Sequence, residues 1–334
     1  MMKCIPRTFF VLAVLPLLVS VEPATAEYAA REEVREFVHE LAQEADFNEN
    51  ELLSLIGQAE YKQSIIDAIT RPAEKTLTWA EYQDIFLTER RRREGMEFMM
   101  ENKDALKAAY DAYGVPPVIV TSIIGVETMY GRIAGSYRVL DALVTLSFDY
   151  PPRSAFFRRE LKEFILLARE EKQMITDLKG SYAGAMGLGQ FIPSSYRRYA
   201  IDFDDDGFRD IWNNPTDAIG SVANYLHEHG WRKDGAITLV TDPGEVPEDL
   251  FNESLRPTRT LGELISLGMD NPDEDLPTEE QVAPMRFMGK SGPEHWLGLQ
   301  NFYVITRYNH SRLYAMAVFQ LSESLRTGGE FAAR

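Results

Sequence analysis

The sequence predicts a mainly α-helical protein carrying one small strand-bearing insertion. Three observations lead there. From about residue 28 to 112, apolar residues recur at helical spacing, as in Val34, Phe37, Val38 and Leu41, with Glu and Arg on the remaining faces. Helices then alternate with Gly-rich turns as far as Trp231. Beyond that the texture changes: residues 236–240 and 301–307 are β-branched or alternating, with Pro and Gly between them.

In chain order, residues 1–26 read as a signal peptide. Lys3 and Arg7 form a basic start, residues 9–19 an apolar run too short for a membrane span, and Ala24-Thr25-Ala26 a small-x-small cleavage site. The mature chain is expected to begin near Glu27, in the periplasm, without stable membrane insertion. The single cysteine, Cys4, precedes the apolar run, so it is not placed to anchor a lipid, and the mature chain carries no disulfide or thiolate ligand.

Residues 27–112 form the expected helical domain. Asn48 is placed to cap one helix, and Thr78-Trp79-Ala80-Glu81 resembles a capping box opening another. The basic run Arg90 to Arg93 reads as a solvated helix face. Residues 113–232 form a core: Gly114 stops one helix and Pro116-Pro117 starts the next. Some helices of about 140–175 are free to pack with the preceding domain. Residues 233–303 are the insertion, and 304–334 return to the core through a helix over 314–325.

The net charge of −17 is spread along the chain, which excludes nucleic acid as a partner and argues against adhesion to anionic lipid. A polymeric substrate would be held by hydrogen bonds and stacking more than by bulk charge.

Within the core, Glu127 is the most informative residue. On a helix from Pro116 or Pro117 it shares a face with Val120, Ile123, Ile124 and Tyr130. A carboxyl there is desolvated, which favours its protonated form and suits a general acid, although a buried structural Glu fits the same pattern. A Gly-rich turn follows, with Ser181 and Gln190 offering neutral groups suited to sugar hydroxyls and acetamido groups. It has neither a P-loop ending nor Gly-x-Ser-x-Gly, and tight helix packing is its other reading.

Residues 202–217 form an Asp-rich loop close to an EF-hand. Asp202, Asp204 and Asp206 stand at positions 1, 3 and 5, Gly207 at the sharp turn, and the Phe208 carbonyl at 7. Position 12 is Asn213 and not the bidentate Glu. A calcium ion would relieve the repulsion among these carboxylates; a solvated Asp turn is the alternative. His227 and His229, two apart, read as surface residues.

Three motifs occur in order: Gly-Val-Glu-Thr-x-Tyr-Gly at 125–131, Ser-Tyr-Ala-Gly-Ala-Met-Gly-x-Gly-Gln-Phe at 181–191, and Arg-Tyr-Asn-x-Ser at 307–311. Together they closely resemble the lytic murein transglycosylase B family, soluble and membrane-bound, over essentially the whole mature chain. The resemblance implies a lysozyme-like core. It implies that Glu127 is the sole acid, then base, in cleaving the bond between N-acetylmuramic acid and N-acetylglucosamine of peptidoglycan glycan strands. The product is a 1,6-anhydro end and no water is consumed, so a second carboxylate is not needed. It further implies that Ser181 lies near the acetamido group and that Gln190 and Asn309 line sugar subsites. Tyr225, Tyr308 and Tyr314 match groove aromatics, each with core packing as its alternative. Arg158 and Arg159 match a pair near the peptide-bearing side. Asp217 is implied as the late calcium ligand in place of position 12. The expected enzyme is a monomeric lyase. A water-using muramidase, for which Asp141 and Asp149 are the nearest second carboxylates, and a catalytically silent peptidoglycan-binding scaffold are the rivals.

Overall fold

The computed structural model describes residues 25–71, 77–172 and 176–328. The expected signal peptide lies outside them as far as residue 24, and Cys4 with it.

Seven helices come first: α1 (Thr25–Ala30), α2 (Glu32–Ala45), α3 (Glu49–Ile56), α4 (Gln63–Ile69), α5 (Trp79–Phe86), α6 (Glu89–Glu101) and α7 (Lys103–Tyr113). Their starts are set by local chemistry. Asn48 accepts the N–H groups of Asn50 and Glu51, and Thr78 with Glu81 forms a reciprocal capping box. Gly114, at φ 71°, ends α7 in the left-handed conformation that glycine adopts without a Cβ clash.

Next comes α8 (Pro117–Thr128), buried nearly all round and surrounded by α6, α7, α12 (Pro215–Glu228) and α15 (Arg312–Thr327). Two further helices, α9 (Val139–Phe148) and α10 (Ser154–Glu170), pair with one another. The start of the chain closes over the end of α9: Tyr28 and Arg31 both hydrogen-bond Asp149, and Phe37 meets Phe148 edge-on. Short α11 (Pro193–Tyr199) links α10 to α12.

Two sheets are present among the described residues. In the smaller, β1 (Tyr137–Arg138) pairs antiparallel with β2 (Lys179–Gly180). The larger has the order β3 (Thr238–Val240), β6 (Gly292–Gly298), β5 (Gln281–Gly289), β4 (Arg259–Thr260), all neighbours antiparallel. One face, with Met285, Phe287 and Trp296, joins the main core, where Phe287 packs on Trp79 of α5. The other covers a small second core of Val246, Leu261, Val282 and Leu297, with α13 (Leu261–Ser266) beneath it. The alternation of side chains along the strands separates the two sets.

The mainly helical expectation with a small β element is borne out, and one element is corrected. Residues 301–307 belong to a helix, α14 (Gln300–Tyr308), not a strand. Asn301 explains the difference. Its side chain accepts from Arg232 N–H and donates to the carbonyls of Arg232 and Gly235, which fixes the helix start. Phe302 and Ile305 then bury on one face, so tertiary packing overrides β-branched propensity. The described strands end at Gly298.

Candidate active site

Glu127 stands in the last turn of α8. The helix is buried around it, but Glu127 itself is half-buried, whereas Val120, Ile123 and Ile124 are fully buried. After Thr128 the chain leaves the helix abruptly: Met129, Tyr130 and Gly131 all have positive φ, at 51°, 59° and 89°. Tyr130 is therefore not on the helical face expected from its spacing. It folds back instead, so that a Cβ on Gly125 would lie 2.5 Å from its hydroxyl. Two consecutive non-glycine residues in this region are strained, and such strain persists only where the surroundings enforce it.

The Gly-rich turn packs beneath this end. Thr128 Oγ1 donates to the Leu188 carbonyl at 2.9 Å. Gly180 must lack a side chain, because its Cβ would stand 2.2 Å from the Ala185 oxygen. Ser181 Oγ accepts the N–H groups of Ala183 and Ala185, at 3.3 and 3.1 Å. Gln190, at φ 51°, donates through Nε2 to the carbonyls of Gly187 and Ala134.

Three tyrosines join these parts. Tyr314 donates its hydroxyl to Glu127 Oε1 at 2.6 Å. Tyr308 donates to the Gly189 carbonyl at 2.5 Å, and its ring is nearly parallel to that of Tyr314, with centroids 6.5 Å apart. Burial first, and then the charge of Glu127, push both phenols well above the ordinary tyrosine range, so they stay protonated as donors. Tyr225 is 7% exposed and donates to the Arg307 carbonyl at 2.6 Å. It packs edge-on against Tyr308 and thus backs the site from within the core. His229 stacks on Tyr225 at 4.1 Å and is half-buried, a correction to its reading as a surface residue; His227 is exposed as expected. The pairing arises because one turn at the end of α12 brings position 229 beside the ring of Tyr225.

Asn309 and the loop that joins Tyr308 to Tyr314 form one wall of a cleft of about 780 Å³. Trp79, Tyr182, Arg153, Arg286 and Arg312 line it too. Arg158 and Arg159 do not. Arg158 donates to the Ser147 carbonyl and lies 4.8 Å over the Phe148 ring, against the carboxyl end of α9, and Arg159 is exposed. The Arg one and a half turns earlier, Arg153, occupies the cleft instead. The Ser147 carbonyl and the Phe148 ring hold Arg158 against α9, and the Phe-Arg-Arg-Glu run held no signal of it.

Arg91 likewise departs from its expected solvated face. It is 9% exposed and donates to the carbonyls of Gly125 and Ile85, at 3.0 and 2.6 Å.

In the aspartate loop, oxygens of Asp202, Asp204 and Asp217 lie within 4.8 Å of one another. Asp217 is fully buried and accepts the N–H groups of Phe203 and Asp210. Burial foremost, and the neighbouring carboxylates after it, raise its pKa. Three such oxygens around one point, one of them without access to water, fit the donor chemistry of a hard divalent cation. Asp206 stands outside the group, its Oδ1 accepting the Phe208 N–H, while the Phe208 carbonyl accepts from Asp210.

Residues 29–323 match the family model of the transglycosylase SLT domain. The chain is 39% identical over 308 residues to the membrane-bound lytic murein transglycosylase B of Escherichia coli, covering 90% of this chain and 84% of that one. The crystal structure of the catenated lytic transglycosylase SltB1 from Pseudomonas aeruginosa is 49% identical and superposes with a TM-score of 0.86, over 90% of this chain and 99% of that chain. The Escherichia coli lytic transglycosylase Slt35 in complex with calcium gives 37% identity and a TM-score of 0.83, over 94% and 99%. With its half-buried glutamate, its glycine turn and matches along nearly the whole described chain, this protein belongs to the transglycosylase SLT domain family.

Proposed function

We propose that this protein is a lytic transglycosylase that cleaves peptidoglycan between N-acetylmuramic acid and N-acetylglucosamine, leaving 1,6-anhydro ends. The observation that carries this reading is the carboxyl of Glu127, half-buried and hydrogen-bonded to protonated Tyr314, which directly follows the cleft-lining segment of residues 309–313. Glu127 protonates the glycosidic oxygen as the bond to C1 breaks, while the acetamido oxygen of the same muramyl residue bonds to C1. Glu127, now ionised, takes the proton of the C6 hydroxyl, whose oxygen displaces the acetamido group from C1. Atoms balance without water, and the carboxyl ends protonated as it began. The Tyr314 hydrogen bond favours the ionised stage between the two transfers.

Ser181 and Gln190 support this role by what their bonds leave over. Ser181 accepts two N–H groups, so its own proton can be donated to the acetamido carbonyl. Gln190 has both amide hydrogens on backbone carbonyls, so Oε1 can accept from a sugar hydroxyl. Asn309, Tyr308 and Tyr314 are the proposed subsite wall.

The water-using alternative needs a second carboxylate. Asp141 accepts from the Glu60 N–H and Arg138, and Asp149 from Tyr28 and Arg31, so both carboxylates are tied to the segment of residues 28–60. This favours the lyase over the muramidase. We further propose calcium at Asp202, Asp204 and Asp217, with Asp206 and the Phe208 carbonyl as additional ligands, in a structural role: a bound cation would neutralise the loop. The working compartment is the periplasm and the enzyme a monomer; no single helix among the described residues is long and apolar enough to cross a membrane.

Mass spectrometry of products released from purified peptidoglycan tests the reaction. Wild type should release anhydro-muropeptides and Glu127→Gln none. Reducing muramic acid ends would establish the muramidase instead, and binding without release by both proteins the scaffold.

A further inference from the structure

The basic run Arg90 to Arg93 hides one residue unlike its neighbours. Arg91, on α6, sends its guanidinium into the core, where Nε donates to Gly125 and Nη1 to Ile85 at the end of α5. The group also lies 5.1 Å from the Phe86 ring centroid. Its backbone carbonyl in turn accepts the Tyr130 hydroxyl at 2.9 Å. Gly125 stands two residues before Glu127 and Tyr130 three after it, so both flanks of the glutamate are tied to one residue of another helix.

The tie is tight. The Tyr130 ring lies over Gly125 and Gly95, and a Cβ at either position would come within 2.5 Å of its hydroxyl. Met129 and Tyr130 are held left-handed inside the same closed ring of contacts. A guanidinium suits the place for two reasons. Its fork reaches carbonyls on two different elements, which a lysine ammonium does not. A cation is also favoured near the carboxyl end of α8, where the helix dipole is negative.

We infer that Arg91 is a positioning residue for Glu127, clamping the end of α8 together with Tyr130 so that the carboxyl meets the Tyr314 hydroxyl. The inference rests on Glu127 being the acid. Arg91 itself is placed to act on the acid through Gly125 and Tyr130 and not on substrate.

The test measures kcat and KM on a soluble peptidoglycan fragment for Arg91→Met, Arg91→Lys and Tyr130→Phe, beside melting temperature and circular dichroism. Folded Arg91→Met should lose kcat by roughly tenfold or more while KM stays within about twofold, as for geometry lost at the reacting centre. Arg91→Lys should recover only part of that loss. Tyr130→Phe should show a smaller loss of the same kind, and the double variant less than the product of the two. Folded Arg91→Met with wild-type kcat overturns the proposal. If Arg91→Met fails to fold, Tyr130→Phe decides, since it removes one oxygen atom: unchanged kcat overturns the proposal and a selective fall in kcat upholds it. Glu127→Gln, assayed in parallel, separates the two readings. Retained activity there would overturn the acid assignment, and the clamp with it; an inactive Glu127→Gln beside a fully active Arg91→Met would overturn the clamp alone.

Discussion

Tyr314 and Glu127, 187 residues apart in sequence, are joined by a hydrogen bond of 2.6 Å from the phenol to the carboxylate. Tyr314 is 2% exposed, and the Ser311 hydroxyl caps the start of α15 by accepting the Tyr314 N–H, so the phenol has little freedom to choose another partner. A hydrogen bond to a charged group is worth about 1.5–3 kcal/mol. Tyr314→Phe should therefore lower kcat by roughly ten- to a hundredfold, with KM little changed. Steady-state kinetics on defined fragments would check it. An unchanged kcat in a folded variant would remove Tyr314 from the site.

Arg312 carries charge into the cleft in a chain of net charge −17. It is half-buried, donates to the Asn252 carbonyl at 3.2 Å and has no ion pair among the described residues, and burial lowers its pKa. Arg286 nearby is paired with Glu248, whereas Arg153 lies over the Phe156 and Phe157 rings. An incompletely solvated guanidinium gains most from a carboxylate, and the stem peptides of peptidoglycan supply carboxylates. Arg312→Gln should raise KM roughly tenfold or more on peptide-bearing strands, by about the worth of one charge-assisted bond, and leave strands stripped of peptide nearly unaffected. Equal effects on both substrates would argue for a purely structural arginine.

Calcium should raise the melting temperature of the purified protein by several degrees, and a chelator should reverse it, by mass action on the folded state. Asp217→Ala should abolish the calcium-dependent increment. Calorimetry with and without the ion measures this; an increment that survives in Asp217→Ala would place the ion elsewhere.

Glu160 gives a pH dependence with a definite sign. It is 5% exposed and accepts from the N–H and hydroxyl of Ser194, yet burial outweighs these bonds and raises its pKa above 4.5. The folded state therefore binds the proton more tightly than the unfolded chain. The stability this contributes is present below the unfolded value and is lost as pH rises through the raised one. Glu160→Gln cannot ionise, so its melting temperature relative to wild type should improve between pH 4 and pH 7. A difference that stays constant across that range would show that the carboxyl keeps its ordinary pKa.

Much of the molecule was legible because its causes are local. Asn48, Thr78 with Glu81, and Gly114 act on backbone groups within a few residues, and each does what its type and spacing imply. The aspartate loop was readable for the same reason, since Asp202 and Asp204 are two apart. Even Glu127 stood out through its position on an apolar helix. Other features depended on distant partners. Residues 301–307 became helix because Asn301 meets the backbone of residues 232–235. Arg153 and not Arg158 reached the cleft, and Arg91 left its solvated-looking run to hold Gly125 on another helix. The sequence by itself determined the helical class, the caps and the placement of the proposed acid on an apolar helix, because propensity, periodicity and capping act over a few residues. Tertiary structure alone decided what that acid touches: side chains have several rotamers and faces open to them, and only packing against elements a hundred or more residues away selects one.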